Sequence, residues 1–404
     1  MANYALREVQ YATEGSFAEN ASAPASNTWT KRIPVTAANL TLGQDRMSDG
    51  SIQARQNESR PGHLGVRTAT LELTSYLPGH LTATTGALTE TWLQDLLSDG
   101  LGGGNVAQVG GTVNTPTSAI QFSVTSATCV AGAIIRVGAK GDARGDGQAG
   151  VVNNATTVTL LTALPASPNA ADVVYACQMA YPTEDPTTTK RFLIGWPATG
   201  AQYHLMGCQL DGLSLAVQPG TLPTITLRYQ CAYWARYAVT IPSAVTLEAC
   251  ETQPVAGGSV FLQTAGTTTR AVVSPSSIDL AIDLGLAPKV GPAVGQAAYQ
   301  SINGWERTRC VPSLTMMLPW STTYETLYDT DGGDTTQQQI LATLSVGNGS
   351  RSSGFYLPRA YVVSPKPIVA DNGGLLYQSI KWQGREGLVT TNDLTQSAIR
   401  FFMG

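Results

Sequence analysis

Three histidines, six cysteines and a few paired aspartates are the side chains whose types could make a catalyst or a metal site, and their spacing supports neither. His63, His80 and His204 show no HExxH spacing and lie near no nucleophile elbow; His63 and His80 each follow a Pro-Gly pair that reads as a turn. Cys129, Cys177, Cys208, Cys231, Cys250 and Cys310 form no C-x-x-C, which suits buried thiols in a reducing compartment better than a disulfide or zinc framework. Asp329, Asp331 and Asp334 open like a calcium loop, yet Ile340 stands where the bidentate glutamate belongs, so a plain turn is expected. Arg144-Gly145-Asp146 spells an integrin tripeptide inside a Gly-rich loop and reads as a solvated turn. Asp279 and Asp283 alternate with apolar residues in SSIDLAIDL, which places them on the wet face of a strand rather than in an acid–base pair. No Gly-rich phosphate-binding motif follows a strand. The chain is therefore expected to be no enzyme and to use no cofactor or metal.

Composition narrows the classes further. With 404 residues and 42.4 kDa the chain should hold two or three domains with real cores. Charged residues make up 13%, about half the usual share, so long charged helices cannot dominate. The 24 basic residues against 28 acidic leave a net charge of −4, without the basic footprint that grips phosphate backbones or anionic lipid. No apolar run approaches the 18 or so residues that cross a membrane, and Arg7 and Glu8 interrupt the start of the chain, so no secretory signal is expected there.

Period-two alternation is the recurring pattern along the chain. It runs through RTATLEL (67–73), QLDGLSLAV (209–217), TITLRY (224–229), SIDLAIDL (277–284) and SLTMML (313–318), so the protein should be mainly β. Helical spacing is clear once, where Leu88, Trp92, Leu93, Leu96 and Leu97 form a stripe ended by Asp99-Gly100; a shorter helix is expected over Ser321–Tyr328. The two ends of the chain repeat one order of elements: strand, long polar loop, strand ending in Leu-Pro, helix, strand, and a closing pair of strands. The expected units are an N-terminal arm (1–30), a first domain split over 31–101 and 186–245, an inserted β domain (102–185), a second domain (246–387) and a C-terminal arm (388–404). The insert, entered through LGGGN and left through PTEDPTTTK, is expected to fold as a small barrel or sandwich projecting from the body. The apolar tail at Ile399, Phe401, Phe402 and Met403 must bury on its own chain or on a neighbour. Only six lysines guard the edges of so much strand, which hints that some edges are meant to be paired.

A strand, a polar loop carrying Arg55, Asn57, Arg60 and Gly62, a strand ending at Leu73, one packed helix at Trp92 and later paired strands together resemble the tail tube proteins of tailed bacteriophages. The closing stretch 354–387 looks like the C-terminal strand pair of that family, and residues 150–175 resemble small β modules inserted in phage tail proteins. The resemblance implies two tandem tail-tube-type β-sandwich or half-barrel domains, each with a flanking helix, plus the inserted β domain. It also implies a virion protein, made in the host cytoplasm, that closes into rings and stacks them into a hollow tail tube. With two copies per chain the ring would be a homotrimeric pseudo-hexamer; with one it would be a hexamer. DNA would pass without tight binding, no membrane would be involved, and the tape measure, tail terminator and distal tail proteins would be the other partners. Ring stacking is expected from Arg46, Arg55, Asn57 and Arg60 in the first copy and from Lys289, Asn303 and Trp305 in the second. Two alternatives remain at this point: a baseplate hub or distal tail protein, and a carbohydrate-binding tail adhesin using Tyr233, Trp234 and Tyr237.

Overall fold

The computed structural model describes residues 8–18, 29, 31–47, 63–78, 91–104, 111–125, 129–138, 148–154, 158–160, 167–184, 188–196, 201–218, 220–237, 255–264, 271–291, 302–321, 337–346, 352–363, 368–372, 375–386 and 394–403. It is mainly β, built on a large antiparallel sheet. Strands β1 (Glu8–Thr13), β2 (Lys31–Ile33), β3 (Ala37–Met47) and β4 (His63–Tyr76) precede helix α1 (Trp92–Leu101) and the short β5 (Gly102–Gly104). Next come β6 (Gly111–Pro116), β7 (Gln121–Thr125), β8 (Ile134–Gly138), β9 (Gln148–Asn154), β10 (Val158–Leu160) and β11 (Val173–Ala176), which close into a six-stranded barrel. The chain returns through β12 (Gln178–Pro182), β13 (Lys190–Trp196), β14 (Ala201–Val217) and β15 (Thr224–Tyr237). The rest comprises β16 (Val255–Thr264), β17 (Ala271–Val273), β18 (Ser277–Asp283), β19 (Leu286–Val290), β20 (Ile302–Arg307), β21 (Val311–Pro319), β22 (Gln338–Val346), β23 (Ser352–Val362), β24 (Ile368–Asn372), β25 (Leu375–Gly384) and β26 (Arg400–Met403).

Strand pairing follows the repeated order of elements. In the first half it runs β2–β1–β13–β14–β15–β4–β3. In the second it runs β17–β16–β22–β23–β25–β21–β18. Individual rows correspond too. Ala38, Leu73, Leu227 and Leu213 lie abreast across β3, β4, β15 and β14, and Leu280, Leu314, Trp382 and Val362 across β18, β21, β25 and β23. These rows face one apolar core, in which the alternate residues Leu71 and Leu73, Ile225 and Leu227, and Leu314, Met316 and Leu318 are buried.

Helix α1 covers that core in the first half with Trp92, Leu93, Leu96, Leu97 and Leu101, and Thr91 caps it by accepting from the Gln94 amide. It runs two residues past the expected stop. Gly100 is there because the helix lies tight on β14, where a Cβ would sit 2.9 Å from that of Leu210; the residue that ends the helix is Gly102, at φ 90°. Leu88 and residues 322–328 of the second expected helix lie outside the described residues. Lys190, nearly fully buried, ties α1 to β1 and β13: its Nζ is 2.8 Å from Asp95, contacts Asp99 and donates to Thr13 Oγ1 at 2.7 Å.

The barrel does not stand clear of the body. Ala133, Ile134 and Val151 at its base share one buried cluster with Met179, Phe261, Leu341, Tyr356, Leu394 and Phe402. The C-terminal tail supplies the other side of this contact. β26 pairs with β12 on one edge and β23 on the other, and buried Arg400 lies over Tyr356 while donating to the Gly132 and Thr395 carbonyls. The apolar tail is thus buried within its own chain. The five described cysteines are free, and burial pushes the thiols of Cys129 and Cys177 up to about 11 and that of Cys310 to about 12. Such thiols are protonated and unreactive. Cys250 lies outside the described residues.

Candidate assembly edges

β14 carries the joint between the two halves. β15 lines one edge of this 17-residue strand, and its other edge is shared: residues 201–208 pair with β13, and Gly212–Val217 pair with β18 from the second half. One continuous run of eight antiparallel strands results, in the order β3–β4–β15–β14–β18–β21–β25–β24. At the joint Leu213 stands opposite Ile282 and Leu215 opposite Leu280, so apolar residues stay on the core face of both strands. Ile278, Leu280 and Ile282 are then 4%, 1% and 3% exposed.

The ends of this run are the counterparts of the joint. At one end lies β3, which corresponds to β18 and, among the described residues, pairs with β4 alone. Its Leu40 and Leu42, matching Ile282 and Leu284, are only half-buried, while Asn39 and Thr41 are exposed. At the other end, on the same edge of β25 as β24, lies the close of β23, which corresponds to Gly212–Ser214 of β14. Here Tyr361 and Val362 pair with β25, and the Val363 amide continues that ladder by donating to the Lys381 carbonyl. Val362 is half-buried and Val363 is 42% exposed. The same pair of surfaces is covered once within the chain and, among the described residues, left uncovered once.

The face of the run turned away from the core is rich in hydroxyl groups: Thr41, Thr70, Thr74, Ser214, Thr224, Thr226, Ser313, Thr315 and Ser379. Thr74 and Thr226 hydrogen-bond across β4 and β15 at 3.1 Å, and Thr70 donates to Gln230 Oε1 at 3.1 Å. Arg228 is held by Asp211 at 2.8 Å, and Arg309 by Asp283. The recess of about 570 Å³ at the joint is lined by Glu72, Ser214, Thr226, Arg228, Asp283 and Arg309. Each arginine there already has a carboxylate, so the recess offers no spare cation to a phosphate.

The expected stacking residues scatter. Arg46 sits in β3 opposite Leu64, whereas Arg55, Asn57 and Arg60 lie outside the described residues. Lys289 and Asn303 are exposed on paired strands β19 and β20, which take up the two described ends of the expected polar loop. Trp305, expected in a stacking loop, lies on β20 but points inward. It is buried against Ala232 and Ile302, and its Nε1 donates to the Gly207 carbonyl at 2.8 Å. Arg307 near it donates to the carbonyls of Gly100 and Leu101 at the end of α1 and of Thr183 just after β12. An indole and a guanidinium aimed at first-half backbone make this strand pair a clasp between the halves.

Of the aromatic cluster, Tyr233 is buried with Met206 and Ala235, and Trp234 donates to the Gly43 carbonyl with Arg67 over its ring. Tyr237 ends β15 opposite Gln202. His63 faces Met47 in the β3–β4 ladder, while His204 is buried edge-on to Trp29; burial and the nearby Arg191 push its pKa to about 3, so it is neutral. Asp279 is exposed on the outer face. His80, Arg144 to Asp146, Asp329, Asp331 and Asp334 lie outside the described residues, and among those described no group of three His, Cys, Asp or Glu could hold a metal. One group gave no signal in the sequence. Glu14 is buried and accepts from Thr189 Oγ1 and from the Gly207 and Ala18 amides, and desolvation raises its pKa to about 7 against the pull of those donors. It braces the bulge at Gly207 from one side while Trp305 holds it from the other.

No protein-family model matches the chain, and no curated protein sequence is similar to it.

Proposed function

We propose that this protein is a structural subunit that assembles with copies of itself into closed rings, and that the rings stack into the hollow tail tube of a long-tailed phage. The observation that carries the reading is the eight-stranded run whose two ends are counterparts of surfaces already joined inside the chain. An exposed strand edge recruits another chain, and closure into a cylinder removes every edge at once. Three chains would supply about 24 strands, and at about 4.8 Å per strand with a tilt of about 40° the wall would measure roughly 150 Å round and about 48 Å across its backbone. A DNA duplex fits through such an opening. The hydroxyl-rich outer face, with Arg228 and Arg309 each tied to a carboxylate, suits a lining that lets phosphates slide past.

In this reading the subunit performs no catalytic step. Its other contacts would be with the tape measure, the tail terminator and the distal tail protein, and its place is the virion tail. Electron microscopy of the purified protein, negatively stained at high concentration, tests the proposal. Rings and tubes with a stain-filled lumen are expected; single globular particles at every concentration would overturn it.

A further inference from the structure

Resting on that reading, a contact can be specified residue by residue. The chain contains one finished example of how two halves join, β14 with β18, and one unfinished example, β23 and β3, built from the corresponding strands. We infer that the outer edge of β3 in one copy pairs antiparallel with the Tyr361–Val363 end of β23 in a second copy, with Thr41 opposite Tyr361, Leu40 opposite Val362 and Asn39 opposite Val363.

The register follows from the rows. Val362 stands beside Trp382 as Leu213 stands beside Leu227, which makes Val362 the counterpart of Leu213. Leu280 stands beside Leu314 as Ala38 stands beside Leu73, so Ile282, two residues on, corresponds to Leu40. Leu213 pairs with Ile282 in the finished joint, and Leu40 therefore pairs with Val362 in the unfinished one. The flanking pairs Gly212 with Asp283 and Ser214 with Ala281 fix the other two positions in the same way.

Burial selects this register over its neighbours. It sets half-buried Leu40 against half-buried Val362 on the core face, and exposed Asn39 against exposed Val363 on the outer face. A slip of one residue would turn Leu40 to the outer side and bring Asn39 or Thr41 into the core. The finished joint advances the row by two residues, from the Leu280 level to Ile282, and an even step is the kind that preserves the two faces from one half to the next. The contact between chains is shorter than the one within the chain. After Val363 the sequence reads Ser364-Pro365-Lys366-Pro367, and the two prolines have no amide hydrogen to give to a ladder. Because the two surfaces differ, the contact is heterologous: each copy offers one edge and receives another, which generates a closed ring when the rotation closes.

The test is cysteine cross-linking of the full chain. Asn39→Cys with Val363→Cys, in a Cys250→Ser background, is oxidised mildly and run under denaturing conditions. Both positions are exposed, and an unchanged circular dichroism spectrum shows that the variant folds. The expected result is loss of the monomer band to a ladder ending at the number of chains in the ring. Neither variant carrying only one of the two introduced cysteines should form it, and Ser214→Cys with Ala281→Cys, the same pair in the finished joint, should link without changing the chain mass. If rings form but this pair stays unlinked, or the shifted pair Leu40→Cys with Val363→Cys links instead, the register is overturned and the assembly reading stands. If no rings form at all, both fall.

Discussion

Placing a lysine at Ile282 and at Leu40 should have opposite consequences, although the two residues occupy corresponding positions. Ile282 is 3% exposed beneath β14, so a charge there has no route to water and no partner. Losing the buried side chain and leaving an unpaired ammonium costs about 3–5 kcal/mol, enough to unfold much of a chain of ordinary stability. Leu40 is half-buried at an uncovered edge, where the lysine stem can lie along the core and its head can reach solvent. The cost to the dissociated chain should stay within about 1 kcal/mol. In the assembled ring Leu40 meets what Ile282 meets in the chain, so each contact between chains should weaken by about 3 kcal/mol, a hundredfold or more. Urea denaturation of the dissociated chain and light scattering of the assembled material separate the two effects. The reasoning is refuted if Leu40→Lys assembles like the unaltered protein, or if it unfolds as readily as Ile282→Lys.

Other consequences concern the braces inside the chain. Glu14 has a folded pKa of about 7 against an ordinary 4.5, so its contribution to stability is complete below pH 4.5 and is lost as pH rises through 7, a fall of about 3 kcal/mol. Glu14→Gln should flatten urea midpoints between pH 5 and 8, and equal slopes in both proteins would contradict this. Lys190→Met leaves half-buried Asp95 with only Lys31, 3.5 Å away, and should cost about 2–4 kcal/mol in chemical denaturation; a change below about 1 kcal/mol would show that the pair contributes little. Trp305→Ala should destabilise the dissociated chain by about 2–4 kcal/mol, as expected of a buried clasp. Impaired stacking at unchanged stability would return Trp305 to the stacking role expected from sequence.

Most of the large sheet was legible because alternation marks both a strand and its buried face. Ile278, Leu280 and Ile282 needed no coordinates to be assigned inward, and the repeat in order of elements anticipated the order of pairing. Three features were not legible. The run of β14 beyond β13 to β18 depends on which strand comes to lie beside Gly212–Val217, and pattern along one strand carries no information about its neighbour. Trp305 stands in a segment rich in Gly and Pro, which reads as loop, yet its indole finds a carbonyl on a distant strand. The barrel reads as separate because Gly-rich links flank it, while the contact that seats it comes from Leu394 and Phe402, more than 200 residues further along. The edge residues Leu40 and Val362 were within reach of the sequence: aligning the two halves sets Leu40 against Ile282 and raises the question of what covers each.

Light scattering on the purified protein across a concentration series measures the central claim most directly. A plateau near three times the 42.4 kDa chain mass, with larger multiples as rings stack, is the result predicted. A mass that stays at one chain up to the highest concentration would mean that β3 and the end of β23 are finished edges, and the account would be wrong.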